Sequence, residues 1–145
     1  MTTRRVEDVI GDHTGRAHTV LQYSLVVKRL VGEAKEPGFC AESWSPLAEL
    51  VAVDEFQRVG AFKEVMNWAT YVEFLTGWAR SAQWECEFKR ITETPGRVFL
   101  ELEERSAMGS FTSTVNSLSV YEFDDSDKIT RIDLYLQMEP LPASA

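Results

Sequence analysis

Histidine and cysteine are scarce in this chain, with two of each among 145 residues. Cys40 and Cys86 lie far apart, in neither a metal-ligand nor a redox spacing, and read as two reduced, partly buried thiols. A disulfide would call for an oxidising compartment, and no charged-then-apolar leader opens the sequence. His13 and His18 are not spaced to stack on one helix face, which argues against a zinc site. Basic residues are also in deficit, 15 Lys and Arg against 23 Asp and Glu, for a formal net charge of −8. Phosphate recognition needs clustered Lys and Arg, so a nucleic-acid partner is excluded. No apolar run reaches the length of a membrane span. Internal repeats, low-complexity tracts and linkers are missing as well. The expectation is a cytoplasmic protein with no cofactor, no metal, no nucleic acid and no membrane partner.

What is present suits one globular domain. Hydrophobic residues make up 44% and charged residues 26%, and a chain of this length buries about 70% of its unfolded surface. Residues 1–13 read as a flexible N-terminus, 14–138 as the domain and 139–145 as a C-terminal tail.

Helical spacing runs from about Thr14 to Val31, with Ala17, Val20, Leu21, Leu25, Val27 and Val31 forming a broad apolar face. Asp12 or Thr14 can cap its start and Gly32 its end. Ser45-Pro46 opens a short second helix. Glu55–Val59 reads as a short strand ending at Gly60. From Ala61 to Ala79 the spacing predicts a third helix, with Phe62, Val65, Met66, Ala69, Val72, Leu75 and Ala79 on one face. Trp68, Tyr71, Phe74 and Trp78 widen that face with aromatics, which can be plain core or the wall of a pocket for a bulky apolar ligand.

The remainder is strand-rich. Trp84–Ile91, Arg97–Met108, Phe111–Phe123 and 128–138 are strands, separated by turns at Thr94-Pro95-Gly96, Gly109-Ser110 and Asp124-Asp125-Ser126-Asp127. The last strand alternates, with Ile132, Leu134, Leu136 and Met138 facing one way and Arg131, Asp133, Tyr135 and Gln137 the other. The fold class that follows is α+β: a curved antiparallel sheet with helices packed on one face.

Two stretches carry a resemblance. One is Phe56-Gln57-Arg58-Val59-Gly60 after two helices. The other is Tyr121-Glu122-Phe123-Asp124-Asp125, followed by Lys128-Ile129-Thr130-Arg131-Ile132-Asp133-Leu134-Tyr135. In this order of elements the chain resembles the nuclear-transport-factor-2-like superfamily, also known as the SnoaL-like or ketosteroid-isomerase-like fold, over about Thr14 to Met138. The resemblance implies a cone-like cavity between the helices and the concave sheet face, and commonly a homodimer. Such a fold hosts many chemistries, so function must come from the site.

The limonene epoxide hydrolases of this group use a Tyr and an Asn on the first strand, an Arg-x-Asp on a middle strand and an Asp on the last. Aligned on Val59-Gly60, the Tyr and Asn fall at Phe56 and Arg58. Aligned on Glu104-Arg105, the Arg is kept at Arg105 but its Asp falls at Ala107. Aligned on Tyr135, the last Asp falls at Leu134, so both carboxylates are replaced. The ketosteroid isomerases place their base where Gln57 stands, and an amide cannot take a proton from a carbon acid. Tyr23 could imitate part of their oxyanion site. The SnoaL-type polyketide cyclases accept large aromatic ligands with few polar groups, and the aromatic wall is compatible with them.

The epoxide-hydrolase alignment suggests a cavity wall of Phe56, Arg58, Phe74, Trp78, Arg105, Ile132, Leu134 and Leu136, to which Trp68 and Tyr71 add from the helix. The candidate catalytic group is a charged cluster of Glu103, Arg105 and Arg58, which would orient or protonate a polar group on an apolar ligand. Alternation along Val98–Arg105 puts Val98, Leu100 and Leu102 on one face and Glu101, Glu103 and Arg105 on the other. The cluster therefore requires a bulge near Glu103-Glu104, and without one these charges are solvated or dimer-facing. Asp133, with Arg131 and Tyr135, is expected on the outer face. The functional expectation is a cofactor-independent acid/base enzyme (cyclase, isomerase or hydrolase) on a polyketide-, terpenoid- or steroid-like metabolite. The alternative is a non-catalytic ligand-binding or accessory protein that has lost the acids.

Overall fold

A computed structural model describes residues 4–140, and an antiparallel meander forms its centre. Strands β3 (Ala82–Thr94), β4 (Arg97–Met108), β5 (Phe111–Phe123) and β6 (Ile129–Met138) pair in sequence order. Gly96 and Gly109 adopt φ of 86° and 63° in the connecting turns, a region that suits glycine. The β5–β6 turn is built by Asp124, whose Oδ1 accepts from the backbone N–H of Ser126 and of Lys128. Arg16 ties that turn to the helical layer, with its Nε 2.7 Å from Asp127.

Beyond β6 the sheet continues with β1 (Gln57–Val59) and then β2 (Val65–Met66), giving the order β2-β1-β6-β5-β4-β3. Strand β1 runs parallel to β6, with Arg58 opposite Ile132, so the six-stranded sheet is mixed, curved and unclosed. The four long strands are antiparallel as expected, and β1 adds a parallel edge.

Among the described residues four α-helices accompany the sheet: α1 (Val6–Val9), α2 (Gly15–Glu33), α3 (Ser45–Ala48) and α4 (Trp68–Ser81). Helix α2 buries Ala17, Val20, Leu21, Tyr23, Ser24, Val27, Leu30 and Val31. It runs past Gly32, and Lys35 closes it: Nζ donates to the carbonyls of Val31 (2.8 Å), Ala79 (2.7 Å) and Ala82, joining the ends of α2 and α4. Behind α4, Trp44 Nε1 donates to Thr76 Oγ1 at 2.9 Å, and that hydroxyl donates to the Val72 carbonyl at 2.7 Å. None of the described helices is long and apolar enough to cross a membrane.

Residues 4–12 dock on the domain: Val6 and Val9 are buried in the core, and the Phe88 N–H donates to the Arg4 carbonyl at 2.8 Å. The pattern is too short for a helical period to register, yet two valines suffice to seat one turn. The helix expected from Ala61 begins at Trp68, where Asn67 Oδ1 caps the Thr70 N–H at 2.9 Å. Residues 60–64 form a turn between β1 and β2, with Lys63 at φ 67° and the Glu64 carboxylate filling the space a Cβ on Gly60 would occupy. Phe62 and Val65 are consequently exposed, despite their helical spacing with the core of α4.

Candidate functional site

A cavity of about 250 Å³ opens between the helices and the inner sheet face. Its floor is made by Tyr23, Ser24 and Val27 of α2, with Leu100 and Leu102 of β4 and Tyr121 of β5, all buried. Tyr71, Phe74, Leu75 and Trp78 of α4 form one wall, and Ile132 and Leu134 of β6 the other. Phe74 is 46% exposed, which places it at the mouth.

Polar groups interrupt this apolar surface at few points. Arg58 enters from β1, its guanidinium 5.0 Å from the Tyr71 ring centre and 5.8 Å from that of Phe74. Glu104 enters from β4 and is the one carboxylate on the cavity wall among the described residues. Its Oε1 accepts from Trp84 Nε1 at 2.8 Å, and its second oxygen has no hydrogen-bond partner among the described residues. The Tyr23 and Tyr71 hydroxyls are 3.4 Å apart, and the Tyr121 ring stands edge-on to Tyr23 at 5.8 Å.

These environments bias the protons. Burial pushes the Tyr23 hydroxyl well above the ordinary tyrosine range, and neighbouring Tyr71 adds to the shift. Burial likewise raises Tyr121; Tyr71 and the Glu104 carboxylate push the same way, while Arg58 pulls back. Cys86, cross-strand from Glu104, is pushed up to about 11, chiefly by burial and then by that carboxylate. Around neutral pH the Tyr23 and Tyr121 hydroxyls and the Cys86 thiol are thus neutral hydrogen-bond donors. One hydroxyl of the inner sheet face, Ser117 Oγ, is buried with no hydrogen-bond partner among the described residues.

The expected site residues separate cleanly. Arg58, Tyr71, Phe74, Trp78, Ile132 and Leu134 are brought to the cavity wall. Phe56 and Trp68 are not on it; they stack edge-on at 5.3 Å, with Phe56 2% exposed in the core behind Tyr71. Leu136 lies further along β6, opposite Ser117, and is not part of the wall either.

The charged cluster is corrected. Glu103 and Arg105 are on the opposite sheet face from Leu102 and Glu104, 3.9 Å from one another and away from Arg58. No bulge interrupts the β4–β5 ladder, in which every residue from Arg97 to Met108 finds its partner in register. Unbroken alternation carries Leu100, Leu102 and then Glu104 inward. Asp133 is on the outer face, where it binds Arg131 through two contacts of 2.9 and 3.1 Å.

The sequence alone does not single out Glu104, Trp84 or Tyr121 as cavity residues. The signal for Glu104 was the even-numbered series in β4 itself. Trp84 and Tyr121 could be found only by knowing which face of β3 and β5 turns inward.

No family model matches the chain, and no curated protein matches it. Solved structures do. An NTF2-like protein of unknown function from Cytophaga hutchinsonii superposes with a TM-score of 0.61 at 12% identity, covering 86% of this chain and 92% of the other. The epoxide hydrolase/cyclase-like enzyme SalBIII of pyran ring formation in the polyether salinomycin gives 0.63 at 15% identity, covering 85% and 91%. An LEH-like epoxide hydrolase of M. tuberculosis gives 0.57 at 17% identity, covering 78% and 84%. The chain therefore has the NTF2-like, SnoaL-like α+β cone fold.

Proposed function

We propose that the cavity binds a hydrophobic small molecule and that Glu104 performs acid/base chemistry on it, without a cofactor. The observation that carries this reading is the placement of Glu104: a single carboxylate on an apolar wall, oriented through one oxygen by Trp84 and left with a second oxygen free to exchange a proton. Tyr121 lines the same cavity and is neutral near pH 7, so its hydroxyl can donate to a substrate oxygen on which negative charge builds. The reaction class is an isomerisation, cyclisation or hydrolysis, in keeping with the epoxide hydrolase/cyclase-like enzyme that shares the fold. A cavity of about 150 Å³ holds benzene, so about 250 Å³ suits a body of one or two rings, smaller than a steroid nucleus.

The outer sheet face completes the proposal as a homodimer surface. Phe99, Leu118 and Val120 are half-buried there and Tyr135 is 54% exposed, beside the Arg131–Asp133 pair.

The test uses a β,γ-unsaturated cyclic ketone and an aryl epoxide, with binding measured by calorimetry and turnover by chromatography. Glu104→Gln is expected to bind either compound as the wild type does and to lose about 100-fold or more in turnover. Binding with no wild-type turnover on any such substrate supports the accessory-protein reading instead. Undiminished turnover in the variant removes Glu104 from the chemistry.

A further inference from the structure

Arg58 has no ion-pair partner among the described residues. Its neighbours in β1 turn to the other face, where Gln57 Oε1 accepts from Arg131 at 3.3 Å, so Arg58 is left facing the cavity. The guanidinium rests on the faces of Tyr71 and Phe74. No carboxylate lies within 4.0 Å of it among the described residues, and none of its five N–H donors is used by them. Among the described residues Arg4, Arg5, Arg80 and Arg97 also hold no carboxylate, but they are exposed, whereas Arg58 is half-buried, in a chain with 23 acidic residues against 15 Lys and Arg. Arg16, Arg90 and Arg131 each hold a carboxylate at 2.9 Å or closer. The acid that shares the cavity, Glu104, is bonded to Trp84 through one oxygen and does not come within 4.0 Å of Arg58. A half-buried, unpaired cation against aromatic walls is a vacancy for an anion, since desolvation makes an uncompensated charge costly.

We infer that the ligand carries a carboxylate, held by Arg58, on a hydrophobic body of one or two rings that fills the cavity. This deepens the proposed function, on which it rests, by naming the substrate class. A monoanion fits better than a phosphate. One guanidinium offers a planar fork that matches a carboxylate, whereas a dianion would meet a single cation and the like charge of Glu104 in the same space. The aromatic faces that support the guanidinium also offer a flat surface for the ligand's ring.

Two matched probes test this: naphthalene-2-carboxylate and its neutral analogue 2-naphthamide, titrated calorimetrically into wild type, Arg58→Met and Arg58→Lys. The wild type is expected to bind the carboxylate at least about tenfold more tightly than the amide, a difference of about 1.4 kcal/mol. Arg58→Met should erase that preference while holding the amide within about twofold, and Arg58→Lys should keep part of it, because charge remains and the planar fork does not. Equal binding of both probes to the wild type, or a preference that survives in Arg58→Met, overturns the assignment but leaves the hydrophobic pocket standing. Binding of neither probe to folded wild-type protein overturns both.

Discussion

Trp84 and Glu104 meet across the β3–β4 ladder, with indole Nε1 2.8 Å from Oε1, although they are not register partners: Trp84 pairs with Ser106, and Glu104 with Cys86. The diagonal reach is long enough only because an indole spans it. It fixes the carboxylate on the cavity wall, and a hydrogen bond to a charged group contributes about 1.5–3 kcal/mol when well shielded. Both side chains here are half-buried, so the lower end applies. Trp84→Phe should cost about 1.5 kcal/mol in denaturant unfolding. In a double-mutant cycle with Glu104→Met the coupling should be about 0.5–1 kcal/mol. A coupling near zero would mean that the pair does not hold the acid in place.

The Trp44–Thr76 bond is deeper, with Trp44 1% exposed. Thr76→Val retains the shape of the side chain but leaves the indole N–H without its partner. An orphaned buried donor costs about 1–3 kcal/mol, and at about 2–4 °C per kcal/mol for a chain near this size that lowers Tm by roughly 2–12 °C. Calorimetric melting of the two proteins measures it directly. Because the pair lies behind α4 rather than in the cavity, ligand binding by the folded variant should be unchanged.

Alkaline pH should unfold the protein early. Cys86 has its pKa raised from 9.0 to about 11, and Tyr23 and Tyr121 are raised as well. Each raised value means that the fold holds a proton the unfolded chain would release sooner. The stabilisation is therefore complete below about pH 9 and is lost as pH rises through about 11. Denaturant midpoints should hold from pH 8 to 9 and fall from pH 9 to 11. With a maleimide-free thiol reagent such as a disulfide dye, exposed Cys40 should react at pH 8 while Cys86 lags. Equal reaction of both thiols at pH 8 would contradict the protected setting of Cys86.

The long meander was legible because turn chemistry and alternation agree there. Strands β4 and β5 occupy the residues expected, Arg97–Met108 and Phe111–Phe123, bounded by glycines whose φ angles only glycine adopts readily. The region from Gly60 to Asn67 was not legible. Phe62, Val65 and Met66 fall on a helical period with Ala69 and Val72, and only pairing with β1 shows that two of the three face solvent. In the site, the aromatic wall of α4 followed from helix geometry, whereas the acid did not. Attention to the Glu103/Arg105 pairing required a bulge, and simple period-two counting from Leu100 leads to Glu104 instead. Contacts such as Trp84 with Glu104, which cross strands on a diagonal, depend on register and side-chain reach that no single segment encodes.

The parallel pairing of β1 with β6 sets an order of events during synthesis. Arg58 emerges from the ribosome early, but its strand partner Ile132 comes more than half the chain later, and the bridge from Val51 to Ile129 has the same wait. Until then β1 can pair only with the two residues of β2. The mouth of the cavity is thus assembled last, through contacts of high sequence separation that close slowly. A nascent chain that has completed α4 and β3–β5 already has its aromatic wall and Glu104, but not yet the cation at the entrance. Chains stalled before Asp133 would expose that wall to chaperones and to each other.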